Sequence, residues 1–209
     1  MLTLHDYPPS QNGWKVRALL GLLGLAYDRR PVAIFSGESR TGAFLDMSPA
    51  GAVPVLELGD GRSIAESNAI LTYLADGTPY LPAERFARAK VMQWLFFEQY
   101  YVEPTIGSLR FWALTGRLER NAGPMIESRR QNGERALAAM ERTLAPLQFL
   151  AGEAFTVADI AVYAYSHLAA DAGFALEDYP AVQAWLGRVS ERIDPDCPIY
   201  PYGDEASVS

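Results

Sequence analysis

The feature that most restricts the possible folds is a change of hydrophobic period at residues 76–84, DGTPYLPAE. Before it, short strand-like runs and helical runs take turns. After it no strand-like alternation persists. A segment this rich in Pro and Gly reads as a linker, and the patterns on its two sides demand different packing. The chain has 209 residues, enough for one large domain or two small ones.

In the first half, LTLH (2–5) reads as a short strand. GWKVRALLGLLGL (13–25) sets Val16, Leu19, Leu20 and Leu23 at helical spacing, with Gly24 placed to stop the helix. YDRRPVAI (27–34) reads as a second strand and TGAFLDM (41–47) as a short helix. PVLEL and RSI flank the turn signal Gly59-Asp60-Gly61, and SNAILTYLA (67–75) reads as a third helix. The order β-α-β-α-β-β-α implies a small mixed sheet with helices on its faces. In the second half, RFARAKVMQWLFFEQYYVEP, GPMIESRRQNGERALAAMERTLAPLQFL, TVADIAVYAYSHLAA (156–170) and PAVQAWLGRVSERI (180–193) all read as helices, followed by an irregular tail from Asp194. The predicted boundaries are an α/β domain over 1–77, a linker over 78–85 and an all-helical domain over 86–209.

Charge and composition remove several function classes. The net charge of −7 gives no general attraction for phosphate backbones or anionic membranes; the basic clusters are short, Arg29-Arg30 and Arg129-Arg130. Neither nucleic acid nor a membrane is an expected partner. The only cysteine is Cys197, so no internal disulfide forms, which fits a reducing compartment. His5 and His167 are the two histidines, without CxxC, HxxxH or HExxH spacing, so no metal site is expected. The start MLTLHDY lacks the pattern of a signal peptide. The longest apolar run, Ala18 to Tyr27, has ten residues, whereas a membrane span needs roughly 20. The expected location is the cytoplasm.

Two places carry chemistry. Val53-Pro54 stands at a strand start, where proline is tolerated without any function. The sharper reading is a cis bond that turns the Val53 backbone groups out of the sheet, to pair with an extended peptide. Glu66-Ser67 opens the next helix. Simple capping explains the pair, with Ser67 as the cap and Glu66 complementing the helix dipole. Alternatively, the hydroxyl and the helix N–H groups hold a ligand carboxylate while Glu66 pairs with an ammonium, which together describe an α-amino acid end.

This layout resembles the cytosolic glutathione transferases: a thioredoxin-like α/β N-terminal domain, a linker, then an all-α C-terminal domain. GAVPVLELGDGRSIAESNAILTYLA is similar to that family's glutathione-binding motif, and FTVADIAVYAY (155–165) to its helix-capping motif, with Thr156 and Asp159 as a capping box. The resemblance implies glutathione as co-substrate, a cis-proline at Pro54, Val53 docking the cysteinyl backbone, and Glu66 and Ser67 holding the γ-glutamyl end. It also implies a homodimer.

The family's chemistry requires a glutathione thiolate. Lowering a thiol pKa of roughly 8.5 by two units takes about 2.7 kcal/mol, and one hydrogen bond to a charged group supplies about 1.5–3 kcal/mol. YPPSQNGWKVRALL (7–20) offers three donors. The segment resembles bacterial transferases with Ser-x-Asn followed by Lys-Val-Arg, in which Ser10 and Asn12 carry the role; otherwise they are loop and cap residues. Tyr7 suits packing, but other classes use a tyrosine near this point, so it is the rival donor. Gly13 stands where many relatives have Ser or Cys, and Asn-Gly here is similar to a bacterial class that reduces disulfides with glutathione. Ala52 stands where relatives often carry a side chain for the glycyl carboxylate; Arg40 is the candidate replacement, its alternative being a solvated surface arginine. In FFEQYYVEPTIGSLRFW (96–112), the residues Tyr100, Tyr101, Arg110 and Trp112 are candidates for a second-substrate site, or else core.

The expected function is a detoxifying glutathione transferase that activates the bound thiol for attack on a small, mostly apolar electrophile. The alternatives are a glutathione-dependent disulfide reductase and a non-catalytic glutathione-binding module. A glutathione-dependent isomerase is less suited, because its relatives usually show a Ser-Ser-Cys pattern that this chain lacks.

Overall fold

The computed structural model describes residues 1–193 and 197–207. Its contacts divide the chain into two units, Met1–Asp76 with Ile193–Pro201, and Gly77–Arg192 with Tyr202–Ser209.

The first unit is built on a four-stranded sheet in the order β2-β1-β3-β4. Strand β1 (Leu2–Asp6) is parallel to β2 (Tyr27–Pro31) and antiparallel to β3 (Val55–Glu57), which pairs antiparallel with β4 (Ser63–Ala65). Helix α1 (Gln11–Leu22) makes the parallel crossover, α2 (Gly42–Met47) follows β2, and α3 (Ser67–Ala75) follows β4. This is the order the hydrophobic periods predict. Strand β2 is shorter than its apolar pattern: it stops at Pro31, and Ile34–Ser36 winds into a 3-10 turn. Helix α1 packs on α3, and their apolar stripes, Val16, Leu19 and Leu20 with Ile70 and Leu71, are fully buried. Val55 instead joins Val32 and Phe44 of α2 in a separate cluster. Leu56, the next residue of β3, is also fully buried and lies outside that cluster, as the alternation of a strand between the two faces of a sheet requires. From the tail, Trp14 Nε1 donates to the Cys197 carbonyl at 3.4 Å, and the Tyr200 ring lies under the Arg29 guanidinium at 4.7 Å. The segment Ile193–Pro201 therefore groups with the α/β unit, although it follows the helical half in sequence. Of the tail expected to be irregular, residues 194–196 and 208–209 lie outside the described residues.

The second unit is helical. Helix α4 (Arg85–Phe97) runs on through a wide π-type stretch, Glu98–Gly107, into α5 (Ser108–Leu114). Pro104 sits inside that stretch; having no N–H, it cannot sustain regular i→i−4 bonding there. Helices α6 (Gly123–Leu144), α7 (Val157–Ser166) and α8 (Pro180–Ser190) complete the unit. Every residue of α7 except Tyr163 is buried. The capping box is present: the Thr156 hydroxyl accepts from the Ala158 N–H, and Asp159 Oδ2 accepts from the Thr156 N–H at 2.9 Å. Among the described residues, no helix is long and apolar enough to cross a membrane.

Candidate active site

The site is built where α1 and α3 begin. Ser10 has extended backbone and caps α1, its Oγ accepting from the Gly13 N–H at 3.3 Å. Its own N–H donates to the Tyr7 carbonyl at 2.8 Å, which folds residues 7–10 into a tight turn. Tyr7 is buried, edge-on to Phe35 at 5.6 Å. Ser10 and Asn12 are half-buried.

Behind this turn lies an ionic cluster that sequence reasoning did not reach. Asp6 is completely buried and pairs with Arg17, and its Oδ2 lies 3.5 Å from Arg29 Nε. Burial pushes the Asp6 carboxyl above its ordinary value, against the pull of Arg17 and Arg29. Arg17 Nη2 also donates to the Pro8 carbonyl at 3.1 Å, and so holds the loop that carries Ser10. Gly13 leaves room for Asp6: a Cβ at this position would run into the Asp6 carboxylate. That collision is a physical reason for a glycine at this position.

Asn12 Oδ1 accepts from Lys15 Nζ at 2.7 Å and from Ser67 Oγ at 3.2 Å, although Asn12 and Ser67 are 55 residues apart. Lys15 Nζ also donates to Ser67 Oγ at 3.4 Å. Lys15 is a further residue that the sequence reading passed over. Its signal was its place on the buried stripe of α1, one turn before Leu19.

Glu66, not Ser67, occupies the cap position of α3, and its side chain makes no capping bond. Ser67 is buried and its hydroxyl turns to Asn12. Capping by Ser67 is therefore not its role here. Glu66 has φ 69°, and it is the one non-glycine residue with positive φ among the described residues. That conformation costs about 1–3 kcal/mol, and the carboxylate it carries is exposed.

The Val53–Pro54 peptide is cis. Ser48 Oγ donates to the Ala52 carbonyl at 3.0 Å and accepts from the Ala52 N–H at 3.1 Å, which fixes the loop leading into it. Arg40 Nη1 donates to the Ala50 carbonyl of this loop at 2.8 Å. The Arg40 guanidinium is exposed yet anchored two residues before Ala52.

The four second-substrate candidates have different contacts. Tyr100 and Tyr101 are exposed, with ring centroids 4.9 Å apart, beside Phe96 and Phe97 on a shallow apolar depression. Arg110 is buried and paired with Asp171 at 3.0 Å. Trp112 is half-buried under the Arg129 guanidinium at 4.8 Å.

Comparison with known proteins agrees with this architecture. Residues 9–76 match the family model described as glutathione S-transferase, N-terminal domain, and residues 126–188 match glutathione S-transferase, C-terminal domain. The solved structure of a glutathione S-transferase from Pseudomonas fluorescens Pf-5 is 43% identical with a TM-score of 0.89, over 93% of this chain and 98% of that one. The glutathione transferase URE2P6 from Phanerochaete chrysosporium, solved in complex with oxidized glutathione, is 28% identical with a TM-score of 0.82, covering 91% of each chain. The disulfide-bond oxidoreductase YfcG of Escherichia coli (strain K12) is 28% identical over 92% of this chain and 91% of its own length. On the combined match of both domains, the chain belongs to the glutathione S-transferase family.

Proposed function

We propose that the protein is a glutathione transferase in which Ser10 and Asn12 hold the thiol of bound glutathione as its thiolate, for attack on a small electrophile. The observation that carries this reading is the meeting of Asn12 and Ser67 at 3.2 Å. It brings the start of α1, suited to an anionic sulfur, against the start of α3, suited to an amino-acid carboxylate. Each residue has a distinct task. Val53, next to the cis-proline Pro54, docks the cysteinyl backbone. Glu66, exposed by its positive φ, pairs with the γ-glutamyl ammonium, and the Ser67 end receives the carboxylate. Arg40 takes the glycyl carboxylate that Ala52 cannot. Tyr7 is the rival thiol donor. The protein supplies position and charge stabilisation, which is sufficient for this chemistry: the thiol proton passes to solvent, and the sulfur bonds to the electrophilic carbon while the leaving group departs with the electron pair of the bond that breaks.

Tyr100, Tyr101, Arg110 and Trp112 remain the candidates for contact with the second substrate. The chain acts as a cytoplasmic homodimer with a role in detoxification. Residues 1–77 form the glutathione-binding domain, and residues 86–209 carry the helical one, apart from Ile193–Pro201, which groups with the first unit.

A second reading, glutathione-dependent disulfide reduction, is favoured by the Asn12-Gly13 pair and by the likeness to a disulfide-bond oxidoreductase over nearly the whole chain. Retention on immobilised glutathione, followed by a thiol-conjugation assay and a disulfide-reduction assay, tests both. Conjugation is the expected activity. Reduction alone selects the second reading, retention without either activity selects a binding module, and no retention removes all three.

A further inference from the structure

The loop that presents Ser10 contains two consecutive prolines, Pro8 and Pro9. Neither has a backbone N–H, so this loop is anchored through its carbonyls. That of Tyr7 accepts from the Ser10 N–H at 2.8 Å, that of Pro9 from Gln11 Nε2 at 3.4 Å, and that of Pro8 from Arg17 Nη2 at 3.1 Å. The first two bonds lie within the loop and the start of α1. The third ties the loop to the body of the helix.

Arg17 can hold Pro8 only while its own place is fixed. It pairs with Asp6 through Oδ2, and Arg29 Nε lies 3.5 Å from the same oxygen. Two of these three side chains are cations and one is an anion, crowded at a single carboxylate oxygen, so the two guanidiniums repel each other. Tyr200 faces both. Its ring centroid lies 4.7 Å from Arg29 Cζ and 5.5 Å from Arg17 Cζ, each within reach of a cation–π contact. Its hydroxyl accepts from Arg29 Nη1 at 3.0 Å, although the two residues are 171 apart in sequence. The backbone three residues earlier brings the ring there: Trp14 Nε1 donates to the Cys197 carbonyl at 3.4 Å, and Trp14 is one turn before Arg17 on α1.

We infer that Tyr200 is a positioning residue for the thiol end of the site, acting through Arg17 and the Pro8 carbonyl, an inference that rests on the glutathione reading above. With the ring in place both guanidiniums stay on Asp6, and Arg17 keeps Nη2 on the loop. Without it, Arg29, whose side chain is already 25% exposed, turns to solvent, and water reaches the Asp6–Arg17 pair and weakens it. A mobile Arg17 releases the Pro8 carbonyl, and the Ser10 hydroxyl loses the fixed position that holding a thiolate requires.

The test compares turnover at saturating glutathione, and the KM for glutathione, in the wild type, Tyr200→Leu, Tyr200→Phe, Ser10→Ala and Ser10→Ala/Tyr200→Leu. Leucine removes ring and hydroxyl; phenylalanine keeps the ring. The expected result for Tyr200→Leu is turnover about tenfold lower, the effect of a misplaced group, with KM nearly unchanged. Tyr200→Phe should fall between it and the wild type. Adding Tyr200→Leu to Ser10→Ala should lower turnover no further. A tail that only stabilises the fold would lower the melting temperature and leave turnover in place, and that result overturns the inference. A second tenfold loss in the Ser10→Ala background overturns it too, because Tyr200 would then act by another route. Should Tyr200→Leu fail to fold, hydrogen exchange of the Ser10 N–H in Tyr200→Phe gives the answer by NMR: it is faster than in the wild type if the hold on the loop has loosened, and an unchanged rate overturns the inference. A wild type that neither binds glutathione nor uses it removes the glutathione reading and this inference with it. A wild type that turns over glutathione, beside an unaffected Tyr200→Leu, removes the inference alone.

Discussion

Helices α1 and α7 begin alike and end up with opposite tasks. Each starts at a hydroxyl residue in extended conformation, Ser10 and Thr156, and each buries charge against its first turn. At α7 the charge is spent entirely on the fold. Asp159 is wholly buried and accepts from the N–H groups of Leu150 and Thr156, the Thr156 hydroxyl and the Trp185 indole, at 2.9–3.2 Å. At α1 the buried charges, Asp6, Arg17 and Lys15, lie behind the turn and brace it. The residues in front, Ser10 and Asn12, stay half-buried, and Glu66 at the neighbouring helix start is exposed. A closed helix start stabilises. A braced start with polar groups left at the surface is what a binding site requires.

The largest expected effect is at the closed start. Asp159→Ala leaves four donors facing apolar surroundings and should cost about 4 kcal/mol of stability, since each buried group left unsatisfied costs about 1–3 kcal/mol and some relaxation offsets the sum. Urea unfolding measures it, and activity per folded molecule should not change. A variant of normal stability with altered thiol chemistry would break the comparison.

The far end of α7 gives the next effect. His167 stacks on Tyr163 at 4.3 Å, with Nδ1 2.6 Å from the Tyr163 carbonyl. Burial pulls its pKa from 6.5 down to about 4. Above pH 6.5 the ring is neutral in both folded and unfolded chains, and its contribution to stability is intact. As pH falls from 6.5 to 4, the unfolded chain binds a proton that the folded one refuses, so stability drops by about 3 kcal/mol. His167→Phe keeps the stacked ring and should flatten that part of the pH–stability curve. The same acid loss in the variant would assign the effect to another group.

These contrasts also mark what the sequence makes legible. The order β-α-β-α-β-β-α, the bounds of α3 and the Thr156–Asp159 box all rest on local signals: period, turn residues and a four-residue spacing. The residues at the starts of α1 and α3 are legible for the same reason. What they do with their protons is not, because Ser67 meets Asn12 through a contact 55 residues long. Lys15 sits on the buried stripe of α1, but its partners Asn12 and Ser67 meet only when α3 packs there. Asp6, Gly13 and Arg17 become a unit only when β1 and α1 are packed. The winding of 98–107 is hidden as well, because its apolar pattern continues that of α4 and only Pro104 signals the break. Tyr100, Tyr101, Arg110 and Trp112 are close in sequence, yet the wide turns send them to different neighbours.

Gly13→Ala tests the brace behind α1. Its methyl group would run into the Asp6 carboxylate, and overpacking of this kind costs about 2 kcal/mol. Removing the carboxylate first should recover most of that cost. Thermal unfolding of Gly13→Ala, Asp6→Ala and the double variant measures the coupling, and simple additivity would show that Asp6 is not what keeps residue 13 a glycine.

The smallest stability effect separates the two starts most cleanly. Ser10→Ala and Thr156→Ala each remove one capping hydroxyl and should each cost about 1 kcal/mol. Thermal unfolding should not tell them apart by much. Turnover should. The Ser10 hydroxyl is assigned to the thiolate, and the loss of one hydrogen bond to a charged group, about 1.5–3 kcal/mol, slows the reaction by roughly tenfold to a hundredfold. Glutathione affinity should stay nearly constant, because the residues proposed for the γ-glutamyl, cysteinyl and glycyl groups are other than Ser10. Thr156→Ala should leave turnover per folded molecule unchanged, its hydroxyl being enclosed with Asp159. If Ser10→Ala instead matches Thr156→Ala in both measurements, Ser10 is a cap like Thr156, and the thiolate passes to Asn12 or Tyr7.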